Sequence, residues 1–348
     1  MLKGLALTPP VIGRISIGKI VEKSGKRLPE KDDEFTVTSQ VQNKDGWVNH
    51  PVDEALRHAN ANGKAHGNVG GKLRTIPVRL LFDDPDLNLR ANYSLFDRQT
   101  GRPVCVGNGE TCKRSTSDGI QTLTCPSPDS CELARGGYCK PYGRLHVRIS
   151  GEVGFTADGG AGSGSGGGGI GSIGGDDELG SFVFRTTGFN SIRTLSARLK
   201  YFQAVSGGLL STLPLELRLR GKSTAQSHRA AIYYVDLTVK TGMTLVDAMA
   251  IARAEADLRK AAGFDQAALD EAARQGYANG AFEESEEEGA AVVEEFYPLS
   301  DGDGAGASND GGVSLVPTPR SSLTVGKPRL ASKLERKVAQ LQQISTVV

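Results

Sequence analysis

Five cysteines are the residues of this chain whose type and spacing best suit chemistry. Cys105, Cys112, Cys125, Cys131 and Cys139 follow the spacing C-x6-C-x12-C-x5-C-x7-C within a sequence of 348 residues. The segment around them is rich in Gly, Pro and Ser, so it has little apolar material for a core of its own. Thiolates are good zinc ligands, and a bound ion would supply the missing order. The cluster therefore predicts a structural metal site, with free structural thiols and redox or disulfide chemistry as alternatives.

The first two cysteines flank a turn signal. Asn108-Gly109 is a common two-residue hairpin turn, and centring the hairpin there places Cys105 directly opposite Cys112 on one face. Two thiols in that position could bind one metal ion, and they nearly suit a disulfide. The C-x2-C pair of the commonest zinc modules is missing from this spacing. Four thiolates would leave zinc no open position for water, so the predicted role is structural and one cysteine is spare.

Other short motifs give weaker signals. Gly221-Lys222-Ser223-Thr224 resembles the end of a phosphate-binding loop, but Glu216 stands where that motif needs its first Gly. A basic hairpin turn is therefore the preferred interpretation. The acidic run FDDPD at 82–86 is typical of a proline turn with solvated acids. Five histidines are dispersed along the chain, and His146 alone follows the cysteines closely. No nucleophile and base occur in a recognisable pattern, so no catalytic residue is predicted.

Charge is distributed unevenly. Residues 1–260 hold 34 Lys and Arg against 26 Asp and Glu, whereas residues 261–348 hold 7 against 14, and the total is only +1. A basic body with an acidic tail fits an acidic partner or nucleic acid, and the tail could shield that face. Basic and aromatic side chains also interleave in the second half of the body. The candidates for a partner or nucleic-acid surface are Arg193, Arg198, Lys200, Arg218, Arg220 and Lys222.

Composition divides the chain into unlike parts. Residues 1–278 form the predicted body, with the cysteine-rich module at 103–142 and a flexible loop at 151–175 that holds 13 of the 45 Gly. Residues 279–331 are predicted to be a disordered acidic linker, and 332–344 a short amphipathic helix. With no long apolar run and no signal-peptide pattern at the start, we expect a cytoplasmic protein whose thiols stay reduced.

Hydrophobic periodicity predicts a run of strands into which a few helices are inserted late. Ser191 is the expected N-cap of a helix at 192–205 and Thr244 that of a helix at 245–262, and a third helix is predicted at 265–276, so that helices cover about 245–276. The predicted fold is α+β with a mainly antiparallel sheet, a cysteine-rich zinc-binding insertion and a disordered acidic tail. The predicted strands are 15–22, 34–41, 73–82, 91–97, 102–106, 144–149, 181–186, 214–220 and 231–239.

Three blocks carry a resemblance to a known family. They are SLFDRQTGRPVCVGNGE at 94–110, CPSPDSCELARGGYCKPYGRLHVRI at 125–149 and LGSFVFRTTGFNSIRTLSARLKYF at 179–202. With the opening strand–turn–strand, they resemble the recombination directionality factor-like family of phages and integrative elements. The resemblance covers about residues 1–245, while the Gly-rich insertion and the acidic tail depart from the family.

The resemblance implies an accessory protein rather than an enzyme. Family members bind large serine integrases and switch them from integration towards excision, with little sequence-specific DNA binding of their own. By resemblance, four cysteines look like the metal ligands and Cys112 is the spare, whereas the hairpin argument pairs Cys112 with Cys105. The four implied ligands are Cys105, Cys125, Cys131 and Cys139.

Three functional hypotheses follow. The first is a zinc-stabilised accessory of DNA recombination from a mobile element, which binds a serine integrase, touches DNA weakly or indirectly, and has no small-molecule substrate or membrane contact. The second is a zinc-containing protein that binds nucleic acid, with single strands as the candidate ligand, as the basic body suggests. The third is a metal-dependent hydrolase, which needs an open metal position and a base such as Glu110 or Asp129.

Overall fold

The computed structural model describes residues 9–23, 26–44, 46–61, 72–150, 180–223 and 231–279, together with Val292, Val293, Phe296 and Tyr297. Within these ranges only the backbone is described at 19–32, 60–61 and 279. The chain divides into a unit of residues 1–301 and a second unit of residues 302–348. The second unit lies outside the described residues, and so do the predicted loop at 151–175 and the predicted helix at 332–344.

The N-terminal part is an antiparallel three-strand meander followed by a helix. Strands β1 (Val11–Lys23), β2 (Lys26–Asn43) and β3 (Gly46–Asn49) pair in chain order, and helix α1 (Pro51–Ala61) follows. Alternation predicts the two long strands, and the structure confirms them with longer bounds. Helix α1 was not predicted, although proline at its first position and two acids in its first turn are typical of a helix start.

The middle of the chain builds the rest of the main sheet. The elements are β4 (Thr75–Arg79), α2 (Pro85–Asn88), β5 (Leu89–Phe96), β6 (Pro103–Gly107), β7 (Thr111–Thr116), β8 (Gly119–Thr124), a 3-10 turn at Glu132–Ala134, β9 (Lys140–Ile149) and β10 (Ser181–Thr186).

The run FDDPD does not form a simple turn, because its second half begins α2. The Asp84 side chain accepts a hydrogen bond from the Asp86 N–H at 2.9 Å and caps this one-turn helix, with Pro85 at its first position.

The C-terminal part of the body adds three helices and a hairpin: α3 (Phe189–Ser206), β11 (Leu215–Ser223), β12 (Ala231–Val239), α4 (Leu245–Ala261) and α5 (Gln266–Asn279). Thr244 caps α4 as predicted, in a reciprocal pair with Asp247. The prediction that Ser191 caps α3 is wrong. Gly188 holds the cap position, and the buried Ser191 hydroxyl instead accepts a hydrogen bond from the Val235 N–H at 3.1 Å.

One long strand connects the pieces of the sheet. The order of the main path is β3-β2-β1-β10-β9-β5-β6-β7-β8, and β9 also pairs with β4, which leads to β11 and β12. Among the described strands, β1 and β10 form the parallel pair and the remaining pairs are antiparallel. The prediction of an α+β fold with a mainly antiparallel sheet is therefore confirmed.

The core lies between the sheet and the helices. Its largest fully buried side chains include Phe35 on β2, Phe182 and Phe184 on β10, and Leu195 and Leu199 on α3. These side chains belong to one continuous cluster that also takes in β4, β9, β11 and β12. Alternate residues of β10 therefore point into this core, and the cysteine-rich strands β6 to β8 extend away from it at the end of the sheet.

Candidate metal centre

Two consecutive hairpins and the segment after them carry the cysteines. Cys105 lies on β6, Cys112 on β7, Cys125 directly after β8, Cys131 at the start of the 3-10 turn and Cys139 just before β9. The β7–β8 hairpin was not predicted, although Asp118-Gly119 is a turn signal and Gly119 has a φ of +100°. The sheet thus brings together five thiols that are dispersed over the module in sequence.

The register predicted for the first hairpin is wrong. Gly107 pairs with Cys112 and Cys105 pairs with Arg114, because the turn is centred on Gly109-Glu110 and not on Asn108-Gly109. The Asn108 carboxamide oxygen accepts hydrogen bonds from the N–H groups of both Glu110 and Thr111, at 2.9 and 2.8 Å.

Those two hydrogen bonds hold Asn108 at the position directly before the two central residues of the turn. Gly109, with a φ of +99°, takes the first central position, where a type II′ turn needs Gly.

The two-residue slip keeps both thiols on one face. Cys105 and Cys112 become diagonal neighbours, since an even shift of the register leaves the side of the sheet unchanged. The absence of a side chain at Gly107 lets the strands and the neighbouring cysteines approach closely. A Cβ atom on Gly107 would stand 2.7 Å from the Cys112 Cβ and 3.0 Å from the Cys125 Sγ, so a larger residue would separate these thiols.

The five thiols influence one another electrostatically. Burial raises the pKa of Cys139 to about 12, and the neighbouring Cys105, Cys125, Cys131 and Cys112 act in the same direction. Burial also raises the pKa of Cys112 to about 11, helped by a hydrogen bond with Cys105. Several thiolates cannot share this space without a counter-charge, which a divalent cation would supply.

Arg114 was missed by the sequence reasoning. It lies opposite Cys105 and forms a hydrogen bond with that thiol, which raises the pKa of the guanidinium above its usual value. The correct hairpin register is the signal that could have found it. Arg114 is therefore a cation placed beside one of the candidate metal ligands.

The cysteine thiols are ligands of the type that zinc prefers, but their positions are not those of a zinc coordination shell. Across the part of the chain that the structure describes, no group of three or more His, Cys, Asp or Glu stands where it could hold one ion. The sulfurs must therefore draw closer together if one ion is to bind. Glu110 and Asp129, the candidate hydrolytic bases, are exposed on turns of the module.

His146 lies in the sheet, and its buried imidazole stays neutral. Its ring is 5% exposed, and Nδ1 lies 3.4 Å from the Ser181 hydroxyl. Burial lowers the pKa of His146 to about 3, and the charges of Arg144, Arg185 and Arg90 act in the same direction. The histidine is therefore a neutral core residue, as the dispersed pattern of histidines indicates.

This burial predicts a pH-dependent stability. Because the unfolded histidine binds a proton near pH 6.5 and the folded one only near pH 3, lowering the pH from 7 to 5 should reduce the free energy of unfolding by about 2 kcal/mol. Chemical denaturation of wild type and His146→Gln at both pH values gives the slope of the free energy of unfolding against pH for each protein, and this slope should be smaller in His146→Gln. The exposed His58→Gln is the control and should keep the wild-type slope; an equal slope in His146→Gln contradicts the assignment.

The basic candidates of the second half are largely paired with buried acids. Arg198 and Arg220 both donate to Asp236, with Nε–O distances of 3.0 and 2.7 Å. Arg218 donates to Glu216, and Lys222 donates to the Asn190 side chain. The positive charge of this surface is therefore smaller than the sequence suggests. Arg193 and Lys200 are the exposed members, seven positions apart on α3.

The phosphate-binding interpretation is excluded by the position of its residues. Gly221, Lys222 and Ser223 lie in β11, where they pair with Tyr233, Ile232 and Ala231 of β12. A phosphate-binding loop needs free N–H groups at the start of a helix. The basic hairpin turn predicted at 221–224 is therefore wrong for 221–223, which belong to the strand, and position 224 lies outside the described residues.

Four apolar residues of the acidic segment pack beside the cysteines. Val292, Val293, Phe296 and Tyr297 contact Phe96 and Tyr142, and Val292 and Phe296 are fully buried. The sequence analysis predicts disorder across 279–331 and misses these contacts. The prediction rests on the acidic composition of the whole range, in which four apolar residues carry little weight. The remainder of that range lies outside the described residues.

Comparison with known proteins defines the class to which this fold belongs. The family model described as Gp3-like, recombination directionality factor-like, matches residues 12–240, which take in the sheet from β1 to β12 and all five cysteines. The chain belongs to the recombination directionality factor-like family, as its sequence blocks predict. No curated protein and no solved structure matches it. Within the ranges described, no helix has the length and apolar character needed to cross a membrane.

Proposed function

We propose that the protein is a zinc-stabilised accessory of DNA recombination that binds a serine integrase and favours excision. The observation that carries the proposal is the family match, because it spans the whole sheet and the cysteine module rather than one motif. The role of such an accessory is to present a surface to the recombinase. Catalysis of strand exchange then belongs to the partner.

The proposed metal is structural. Cys105, Cys125, Cys131 and Cys139 are the proposed ligands, and Cys112 is the spare thiol. A zinc ion with four thiolates has a closed coordination shell and no site for substrate, so it would order the turn-rich segment without chemistry of its own. The raised pKa values of Cys112 and Cys139, to which the neighbouring thiols contribute, support a cluster whose charge needs a cation.

Helix α3 offers the exposed basic positions for an acidic patch of the integrase. Arg193 and Lys200 stand on its outer face, whereas Arg198, Arg220 and Arg218 have acidic partners within the protein. We expect the double variant Arg193→Glu with Lys200→Glu to weaken integrase binding by about tenfold, since like-charge contacts at a rim slow association. Arg253→Glu with Lys260→Glu on α4 has the same spacing and charge change, and should bind normally.

The test is a pull-down with the serine integrase encoded beside the gene, followed by an excision assay with purified components. The protein should form a complex with the integrase and convert it from joining the original sites to joining the two hybrid sites. Binding to DNA alone, with affinity that falls steeply as salt rises, would instead support the nucleic-acid-binding hypothesis. No complex and no change of direction contradicts the proposal.

A further inference from the structure

The apolar quartet beyond the family-matched region forms one helical turn with a defined binding geometry. The quartet comprises Val292, Val293, Phe296 and Tyr297, and the Tyr297 N–H donates to the Val293 carbonyl at 2.8 Å, the bond of an α-helical turn. Spacings of three to five positions place all four side chains along one side of a helix. The quartet therefore presents one apolar helical face to the surface that it contacts.

That surface is an aromatic groove made by residues from the end of β5 and the start of β9. We define the aromatic groove as Phe96, Arg98, Tyr138, Lys140 and Tyr142. The Phe296 ring sits edge-on to the rings of Phe96 and Tyr142, with centroid distances of 4.8 and 5.7 Å. These are favourable separations for perpendicular aromatic pairs.

Two cations form the rim of the groove. The Arg98 guanidinium lies 4.6 Å from the centroid of the Tyr297 ring and 5.0 Å from that of Tyr138, so the arginine is stacked between two aromatic rings. The Lys140 ammonium lies 5.1 Å from the Tyr297 centroid and donates to the Phe296 carbonyl at 3.1 Å. A cation at the last carbonyls of a helical turn is a favourable arrangement.

Polar contacts fix the orientation of the occupant. The Tyr297 hydroxyl donates to the Tyr138 carbonyl at 2.7 Å and lies 3.4 Å from the Phe96 carbonyl. Tyr138 directly precedes Cys139, so the occupant is anchored at the edge of the candidate metal centre. Apolar pockets, stacked cations and one directional hydrogen bond are together the features of a peptide-recognition site.

The occupant and the groove are complementary in charge. The sequence around the quartet, EEEGAAVVEEFYP at 286–298, places glutamates before it and between its apolar pairs. The rim residues Arg98 and Lys140 are both basic. A free helix with this sequence would have little stability alone, since isolated helices of this length are marginal, so it gains order from the groove.

We propose that the aromatic groove is a recognition site for a short acidic helix carrying an aliphatic pair one turn before an aromatic pair, and that the quartet of Val292, Val293, Phe296 and Tyr297 occupies it in cis as a replaceable ligand. A partner protein that presents a helix of the same chemistry gains access by displacing this segment. The proposal rests on the proposed function only in expecting such a helix on a recombinase, because the groove itself can be tested without one.

The test uses a fluorescent synthetic peptide of residues 286–299 and the full-length protein. In the variant Phe296→Ala with Tyr297→Ala, the tethered segment should bind the groove more weakly, because its two aromatic rings are removed. A tethered ligand acts at an effective concentration of about millimolar, so the peptide should bind the variant at least about tenfold more tightly than wild type. Fluorescence anisotropy measures both affinities. A peptide with the same two substitutions should not bind.

The groove side supplies the matched control. Adding Arg98→Glu to the double variant should reduce peptide binding at least about tenfold, because the stacked cation is replaced by a repelling charge. Tyr201→Ala, which removes an exposed aromatic ring on α3, should leave peptide binding unchanged. Circular dichroism establishes that each variant is folded. A folded double variant that fails to bind the peptide, or a wild type that binds it equally well, overturns the proposal.

A second measurement covers the case in which the double variant does not fold. A protease site inserted after Gly289 leaves the quartet and groove intact and permits cleavage of the folded protein. In size-exclusion chromatography at about 100 µM protein, the C-terminal fragment should then co-elute with the body. Excess peptide should release it, because a non-covalent ligand can be displaced by competition. Complete separation without added peptide overturns the proposal. Loss of integrase binding alone would contradict the proposed function and not the groove.

Discussion

Changing Cys139 to Ser is expected to lower bound zinc from about one equivalent to below about one tenth and to unfold the cysteine module, because structural zinc supplies on the order of 10 kcal/mol of folding free energy in small modules. Cys139 is one of the four proposed ligands and the thiol whose pKa is raised most strongly, to about 12. Elemental analysis gives the metal content, and hydrogen exchange of residues 103–142 reports the order of the module.

Cys112→Ser is the matched control for this prediction. Cys112 lies in the same cluster and is 3% exposed, and its Sγ is 3.9 Å from the Thr124 carbonyl, to which a serine hydroxyl could also donate. If Cys112 is the spare thiol, this variant keeps its zinc. Zinc loss from Cys112→Ser would contradict the assignment of ligands. A wild-type protein that is folded and free of metal would refute the zinc proposal altogether.

Changing Asp236 to Asn is expected to lower the free energy of unfolding by about 2 kcal/mol, because the buried carboxylate loses its charge-assisted hydrogen bonds from two half-exposed arginines. The carboxylate is 2% exposed and accepts hydrogen bonds from both Arg198 and Arg220. Burial raises the pKa of Asp236, but the bonds from the two arginines outweigh it, and the pKa is lowered overall.

The pH dependence of this effect has a defined sign. A depressed pKa means that the stabilisation is present at neutral pH and is lost as the pH falls through the folded pKa. The difference between wild type and Asp236→Asn should therefore shrink below about pH 4, the unfolded value. Denaturant titrations at pH 7 and at acidic pH measure it. Asp257→Asn on the exposed side of α4 should change stability by less than about 0.5 kcal/mol, and a loss equal to that of Asp236→Asn contradicts the explanation from the buried carboxylate.

The strands were the part of the fold that the sequence predicted best. In β11 and in the second half of β12, apolar and polar residues alternate, so the pattern itself specifies a half-buried strand, whereas the apolar run Phe182 to Phe184 of β10 is typical of a strand buried on both faces. Helix α1 was missed because its apolar positions are few, and only the Pro51, Asp53 and Glu54 start signals point to it. The parallel pairing of β1 with β10 could not be predicted, since no local pattern records which distant strand a strand meets.

The candidate metal centre was predicted in composition but not in geometry. Sequence spacing identifies the five thiols, but hairpin register depends on which of two adjacent turns forms, and the Asn108 side chain decides that by binding two N–H groups. The contact of Cys105 with Arg114 follows from that decision. The Phe296 and Tyr297 contacts were missed because their binding surface is assembled from residues 156 to 201 positions earlier, which composition does not reveal.

The parallel pair β1–β10 has a consequence for folding during synthesis. Residues Val11 to Ile15 pair with Ser181 to Phe184, and the Ser181 hydroxyl donates to the Pro10 carbonyl across 171 positions of sequence. The β1–β2 hairpin can form early, but one edge of β1 stays open until β10 has left the ribosome. Such distant pairing slows folding, because the entropy of closing the loop is lost before the contact is gained. The open edge of β1 therefore remains exposed to wrong partners until residues 181–184 have been made.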